Sequence, residues 1–141
     1  MSAIQFTTDQ IIFRLKNKSR YQTWIERIIL SHQKFPSKVD FIFTNDTFLS
    51  SMNKQYLNQT YSTDIITFNY NSGHYISGDI FKSIDRVKEN ASIYNIDFDK
   101  ELERVMIHGI LHLLGFNDKS EREKKLMTKK ENEALEILNN I

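Results

Sequence analysis

Apolar residues along the chain recur in two rhythms, every second position and roughly every 3.6, and the changes between them mark out the elements. Ile4-Gln5-Phe6 alternates like a short edge strand, and Ile11-Ile12-Phe13 reads as a second piece or its continuation. From 19 to 32, Tyr21, Trp24, Ile25, Ile28 and Ile29 fall on one helical face, with Ser19 placed as N-cap. Trp24 and His32 need no role there beyond packing and a surface turn. Pro36 and Ser37 break the chain before a β-branched and aromatic strand over 39–44. Asn45 and Asp46 cap a helix over 47–56 that turns Phe48, Leu49, Met52 and Tyr56 inward. Strands follow over 62–70 and 75–84, and the turn at Gly73 makes them a hairpin. Asp85 starts a helix that runs to Tyr94, Asp97 or Asp99 caps the next, and Ser120 opens a last amphipathic helix carrying Leu126, Met127, Ala134, Leu135 and Leu138. The order βαβαββααα predicts an α+β fold: one compact domain over residues 1–141, a mixed sheet of about four strands, and helices packed on it.

Composition narrows this reading. A hydrophobic fraction of 40% with 12% aromatics is enough to build a packed core. The absence of cysteine excludes disulfides and thiolate ligands and fits a reducing cytoplasm, where the protein is expected. The start, Met1 to Phe6, lacks the basic and apolar regions of an export signal, and no window approaches the roughly 20 apolar residues that span a bilayer. A formal net charge of +1 gives no global signal for nucleic acid. The basic cluster Lys124, Lys125, Lys129 and Lys130 alternates with Glu121, Glu123, Glu131 and Glu133, the pattern of a solvated helix face.

Chemistry is concentrated in one stretch. His108 and His112 are four residues apart, about 40° around a helix, so both can grip one ion. They line up with Glu101 and Arg104 at the edge of the stripe formed by Leu102, Val105, Met106, Ile110 and Leu113. Gly115 is suited to the left-handed turn that ends a helix, and the turn brings Asp118 within reach as third ligand. This spacing shares its geometry with the zinc-protease signature H-E-x-x-H-x-x-G-x-x-H. Here, however, Gly109 stands where the peptidase needs its glutamate base. Two imidazoles and one carboxylate leave a coordination position open, as catalytic zinc sites do, and the same set suits non-haem Fe(II) or another divalent transition metal.

The segment His108-Gly109-Ile110-Leu111-His112-Leu113-Leu114-Gly115-Phe116 resembles the H-G-x-L-H-L-x-G-[Y] signature of the YbeY family, bacterial metal-dependent endoribonucleases tied to rRNA maturation and ribosome quality control. Thr63-Asp64-Ile65-Ile66-Thr67-Phe68 is similar to the family's T-D-V-L-S-F strand, and Gly78-Asp79-Ile80 to its G-D-I strand. The resemblance implies one zinc-type ion per chain at the C-terminal end of the central histidine helix. It implies single-stranded or ribosomal RNA as substrate, including the 16S rRNA 3′ end, with ribosomal particles and assembly proteins as partners. Thr63, Asp64 and Asp79 would line the substrate cleft, Asp64 or Asp79 serving as proton acceptor or as partner to a ligating histidine; the catalytic proton-transfer residue stays unassigned. Two positions depart from the family pattern. Asp118 replaces a third histidine, and Leu57 stands where an arginine would meet phosphate, leaving that contact to Lys54 or Arg86. The alternative implied by Leu57 is a ribosome-assembly binding factor with a structural metal and little or no nuclease activity.

Overall fold

The computed structural model describes residues 2–56 and 65–141. Its elements follow the expected order: β1 (Ile4–Thr8), α1 (Lys18–Ser31), β2 (Phe35–Thr44), α2 (Asp46–Tyr56), β3 (Ile65–Asn69), β4 (Tyr75–Ser83), α3 (Ile84–Tyr94), α4 (Phe98–Leu113) and α5 (Glu121–Asn139). The four strands form one mixed sheet in the order β1-β2-β4-β3. β1, β2 and β4 run parallel, and β3 pairs antiparallel to β4 through the hairpin, whose Gly73 sits at φ +59°.

Strand alternation divides the sheet into two faces. Ile4, Val39, Phe41, Ile76 and Ile80 point into the main core with Trp24 of α1 and Ile107 and Ile110 of α4. On the opposite face, Leu49 and Met52 of α2 pack with Ile66, Phe68 and Phe81. Trp24 is fully buried, and its indole N–H donates to the Ala134 carbonyl at 2.7 Å, tying α1 to α5. α4 thus lies between the sheet and its neighbouring helices, which is why it is buried on more sides than one stripe requires.

Local chemistry moved several boundaries. Ile11-Ile12-Phe13 is not a strand; the chain turns at Gln10, whose φ is 64°, and Ile12 is wholly exposed. α1 begins at Lys18 with Asn17, not Ser19, at the cap, because asparagine tolerates the left-handed conformation (φ 60°) found there. β2 runs through Pro36 instead of starting after it. Pro36 lies beyond the β1 pairing, which begins at Val39, and a register shift between Pro36 and Lys38 accommodates its missing N–H. α3 is capped by Ser83, whose hydroxyl accepts from the Arg86 N–H, so Asp85 lies in the first turn. α2 is capped by Asn45, which accepts from the Phe48 N–H at 2.8 Å, and α5 by Ser120, which forms a capping box with Glu123, while Asp97 stands at the N-cap of α4 without a side-chain cap hydrogen bond.

Candidate metal centre

α4 ends in a Schellman turn. The Phe116 N–H donates to the Leu111 carbonyl and the Gly115 N–H to the His112 carbonyl, both at 3.0 Å, with Gly115 at φ +101°. The reversal carries Asp118 back over the end of the helix, as its spacing predicted. His108 Nε2 lies 3.2 Å from Asp118 Oδ2, His112 Nε2 lies 3.5 Å from the same oxygen, and the two Nε2 atoms are 3.0 Å apart. Zinc–nitrogen and zinc–oxygen bonds of about 2.0–2.1 Å at the tetrahedral angle place neighbouring donors about 3.3 Å apart. The triangle therefore has the dimensions of three corners of such a site, and its donors are the N/O type a zinc-type ion takes. His108 and His112 are half-buried, and the Asp118 side chain is 38% exposed, so the triangle is partly open to solvent.

The His108 imidazole is also held at its other side. His108 Nδ1 is 2.7 Å from Glu131 Oε2. Burial, and then the neighbouring His108, lower the His112 pKa below the ordinary histidine value of 6.5, with Asp118 opposing them. The depressed value means that the unfolded chain binds the proton more readily than the folded one, so stability rises with pH across the shift. Urea unfolding of the metal-free protein should accordingly show stability falling as pH drops below about 6.5. A His112→Gln variant should lose that part of the pH dependence, whereas an unchanged profile would place the titration elsewhere.

The other expected site residues are distributed differently. Asp79 does not join the histidines: it pairs in register with Asp40 and Phe68, alternates with the core-facing Gly78 and Ile80, and hydrogen-bonds Tyr70 on the opposite face. Thr63, Asp64 and Leu57 lie outside the described residues. Of the two proposed phosphate contacts, Arg86 is engaged by Asp46 and Glu89, each at 3.1 Å, and Lys54 is exposed on α2, the helix covering the face opposite α4. Glu131 was assigned to a solvated face and is instead buried, with Oε1 receiving Arg104 at 2.8 Å. The missed signal was its place in the buried row Met127, Glu131, Ala134, Leu138.

No helix of the described residues is long and apolar enough to cross a membrane. Residues 4–139 match the family model described as Endoribonuclease YbeY. Among curated relatives, the Endoribonuclease YbeY of Flavobacterium psychrophilum is 43% identical over 128 residues, 91% of each chain. That of Christiangramia forsetii is 46% identical over 125 residues, 89% of this chain and 87% of its own. The one from Parabacteroides distasonis is 41% identical over 136 residues, 96% of both. A solution structure of a Thermotoga maritima protein superposes with a TM-score of 0.66 at 27% identity, covering 96% of this chain and 88% of the other. Matched nearly end to end by the family model, and identical to these curated relatives at more than two-fifths of the aligned positions, the chain belongs to the YbeY endoribonuclease family.

Proposed function

We propose that this chain is a metal-dependent endoribonuclease that cleaves single-stranded RNA in rRNA maturation, including processing of the 16S rRNA 3′ end, and in ribosome quality control. Its ion is zinc, held by His108 Nε2, His112 Nε2 and the Asp118 carboxylate. The observation carrying this reading is the convergence of those three donors at 3.0–3.5 Å in a chain of this family. Residues 1–141 act as one hydrolase domain, working in the cytoplasm on ribosomal particles and with ribosomal or assembly proteins.

A bound zinc-type ion supplies Lewis-acid polarisation of a phosphoryl oxygen and acidifies water toward neutral pH. The chain supplies the rest. His108 and His112 project from a rigid helix whose position is set by the core, while Asp118 completes the triangle from the turn. Its carboxylate makes the site harder and less positive than a third imidazole would. Gly109 offers no side chain for the peptidase's proton transfer, which directs the chemistry away from peptide hydrolysis. Thr63 and Asp64 are assigned to the substrate cleft on the strength of their strand motif.

Elemental analysis of tag-free protein beside Asp118→Ala tests the ligand set, and cleavage of single-stranded RNA before and after chelation tests the activity. We expect about one zinc per chain in the wild type, loss of most of it in the variant, and cleavage that disappears with chelation and returns with zinc. Metal content unchanged by Asp118→Ala would move the third ligand elsewhere. Leu57 favours the binding-factor reading as the alternative. Metal-stripped, folded protein that still binds pre-ribosomal particles, beside a loaded form that cuts no RNA, would establish it.

A further inference from the structure

Glu131 is placed where a carboxylate is costly. It is 7% exposed, in the α5 row that also buries Met127, Ala134 and Leu138 against the rest of the protein. A carboxylate taken out of water is tolerated when its oxygens are satisfied. Here one arm of the Arg104 guanidinium meets Oε1 at 2.8 Å, its other arm donates to Asn132 at 2.9 Å, and Oε2 faces His108 Nδ1 at 2.7 Å. Arg104 and His108 sit one turn apart on α4, so the single acidic side chain from α5 spans both.

The consequence lies in the imidazole. An ionised carboxylate only accepts hydrogen bonds, so in the neutral imidazole the nitrogen facing Oε2 carries the proton and His108 Nε2 is a bare lone pair. That lone pair faces His112 Nε2 at 3.0 Å and Asp118 Oδ2 at 3.2 Å. Without Glu131, the metal-free imidazole would gain by carrying its proton on Nε2 and donating it to either neighbour, closing the triangle by a hydrogen bond in place of an ion. We propose that Glu131, anchored by Arg104, is a positioning residue that locks His108 in the Nδ1–H tautomer and so keeps the centre ready for metal. This rests on the reading of His108 as a ligand.

Long-range proton–nitrogen spectra of the ¹⁵N-labelled, metal-free full chain report the tautomer directly. In the wild type we expect His108 protonated at Nδ1. In Glu131→Leu the proton should move to Nε2, and in Glu131→Gln, whose amide oxygen still accepts, Nδ1–H should be largely retained. Zinc titration of the same proteins should show affinity weakened about 10–100-fold by Glu131→Leu and by less in Glu131→Gln. Thermal unfolding of each metal-free form separates this loss from general destabilisation. An unmoved tautomer in Glu131→Leu, or equal zinc affinity in all three proteins, overturns the proposal; if Glu131→Leu fails to fold, a Glu131→Gln protein with the Nε2–H tautomer does the same. A wild type that takes up no zinc overturns the ligand reading itself, an outcome distinct from any difference among the variants.

Discussion

Replacing His112 by alanine is expected to leave a folded protein that holds no ion and cuts no RNA. The fold should survive because the imidazole is at the edge of the core, with 26% of its side chain exposed, and alanine is the best helix former for the vacated position. Its ring meets that of His108 edge to face at a centroid distance of 4.6 Å, a contact outside the main apolar cluster. The metal should not survive. Two donors remain, and losing a direct ligand should cost more than the roughly 10–100-fold that loss of an outer partner costs. Circular dichroism, elemental analysis and an RNA cleavage assay on one preparation give the result. A fully active His112→Ala protein would sink the mechanism.

Gly109→Glu, which writes the peptidase's missing base into the helix, should collapse the fold instead of converting the activity. A Cβ at this position would lie 2.9 and 3.1 Å from two carbons of Ile80 and 3.2 Å from Ile65 Cδ1, because α4 rests there directly on β3 and β4. Overpacking of this kind costs about 1–3 kcal/mol, and an unpaired carboxylate pressed into the same contact adds more. Calorimetry should show the melting temperature lowered by at least about 10 °C, given roughly 3–4 °C per kcal/mol at this size. A stable variant with peptidase activity would refute both the packing argument and the exclusion of peptide chemistry. The glycine is therefore a contact point between helix and sheet as well as a vacancy in a protease motif.

What the sequence made legible was mostly local. Two histidines one turn apart, a glycine able to reverse the chain and a carboxylate three residues later are adjacent on the backbone, so helix geometry and the glycine turn together predicted the triangle. The hairpin at Gly73 and the capping box at Ser120 were readable for the same reason. Relations between distant elements were harder. Asp79 is near the histidines in motif order, yet strand alternation sends it to the face opposite Ile80 and Gly78. Glu131 was hidden by the lysines around it: charge counted along the chain suggests a solvated face, whereas its spacing from Met127, Ala134 and Leu138 places it inside. Pro36 looked like a break because only pairing with β4, with β1 starting later, leaves room for a proline in β2.

The Schellman turn after α4 has a consequence for how the ion is kept. His108 and Asp118 are ten residues apart, so a metal held by both would close a very short loop, one the hydrogen-bonded turn already closes in the folded chain. Loop-closure entropy grows with the logarithm of loop length, so a cross-link over so short a loop constrains the unfolded chain less than one joining distant segments would. The hydrophobic contacts joining sheet and helices do not pass through the ion either. Unlike a zinc finger, whose folding energy is its metal-binding energy, this domain is expected to release and rebind an ion at the triangle without unfolding, which far-UV circular dichroism before and after chelation would check.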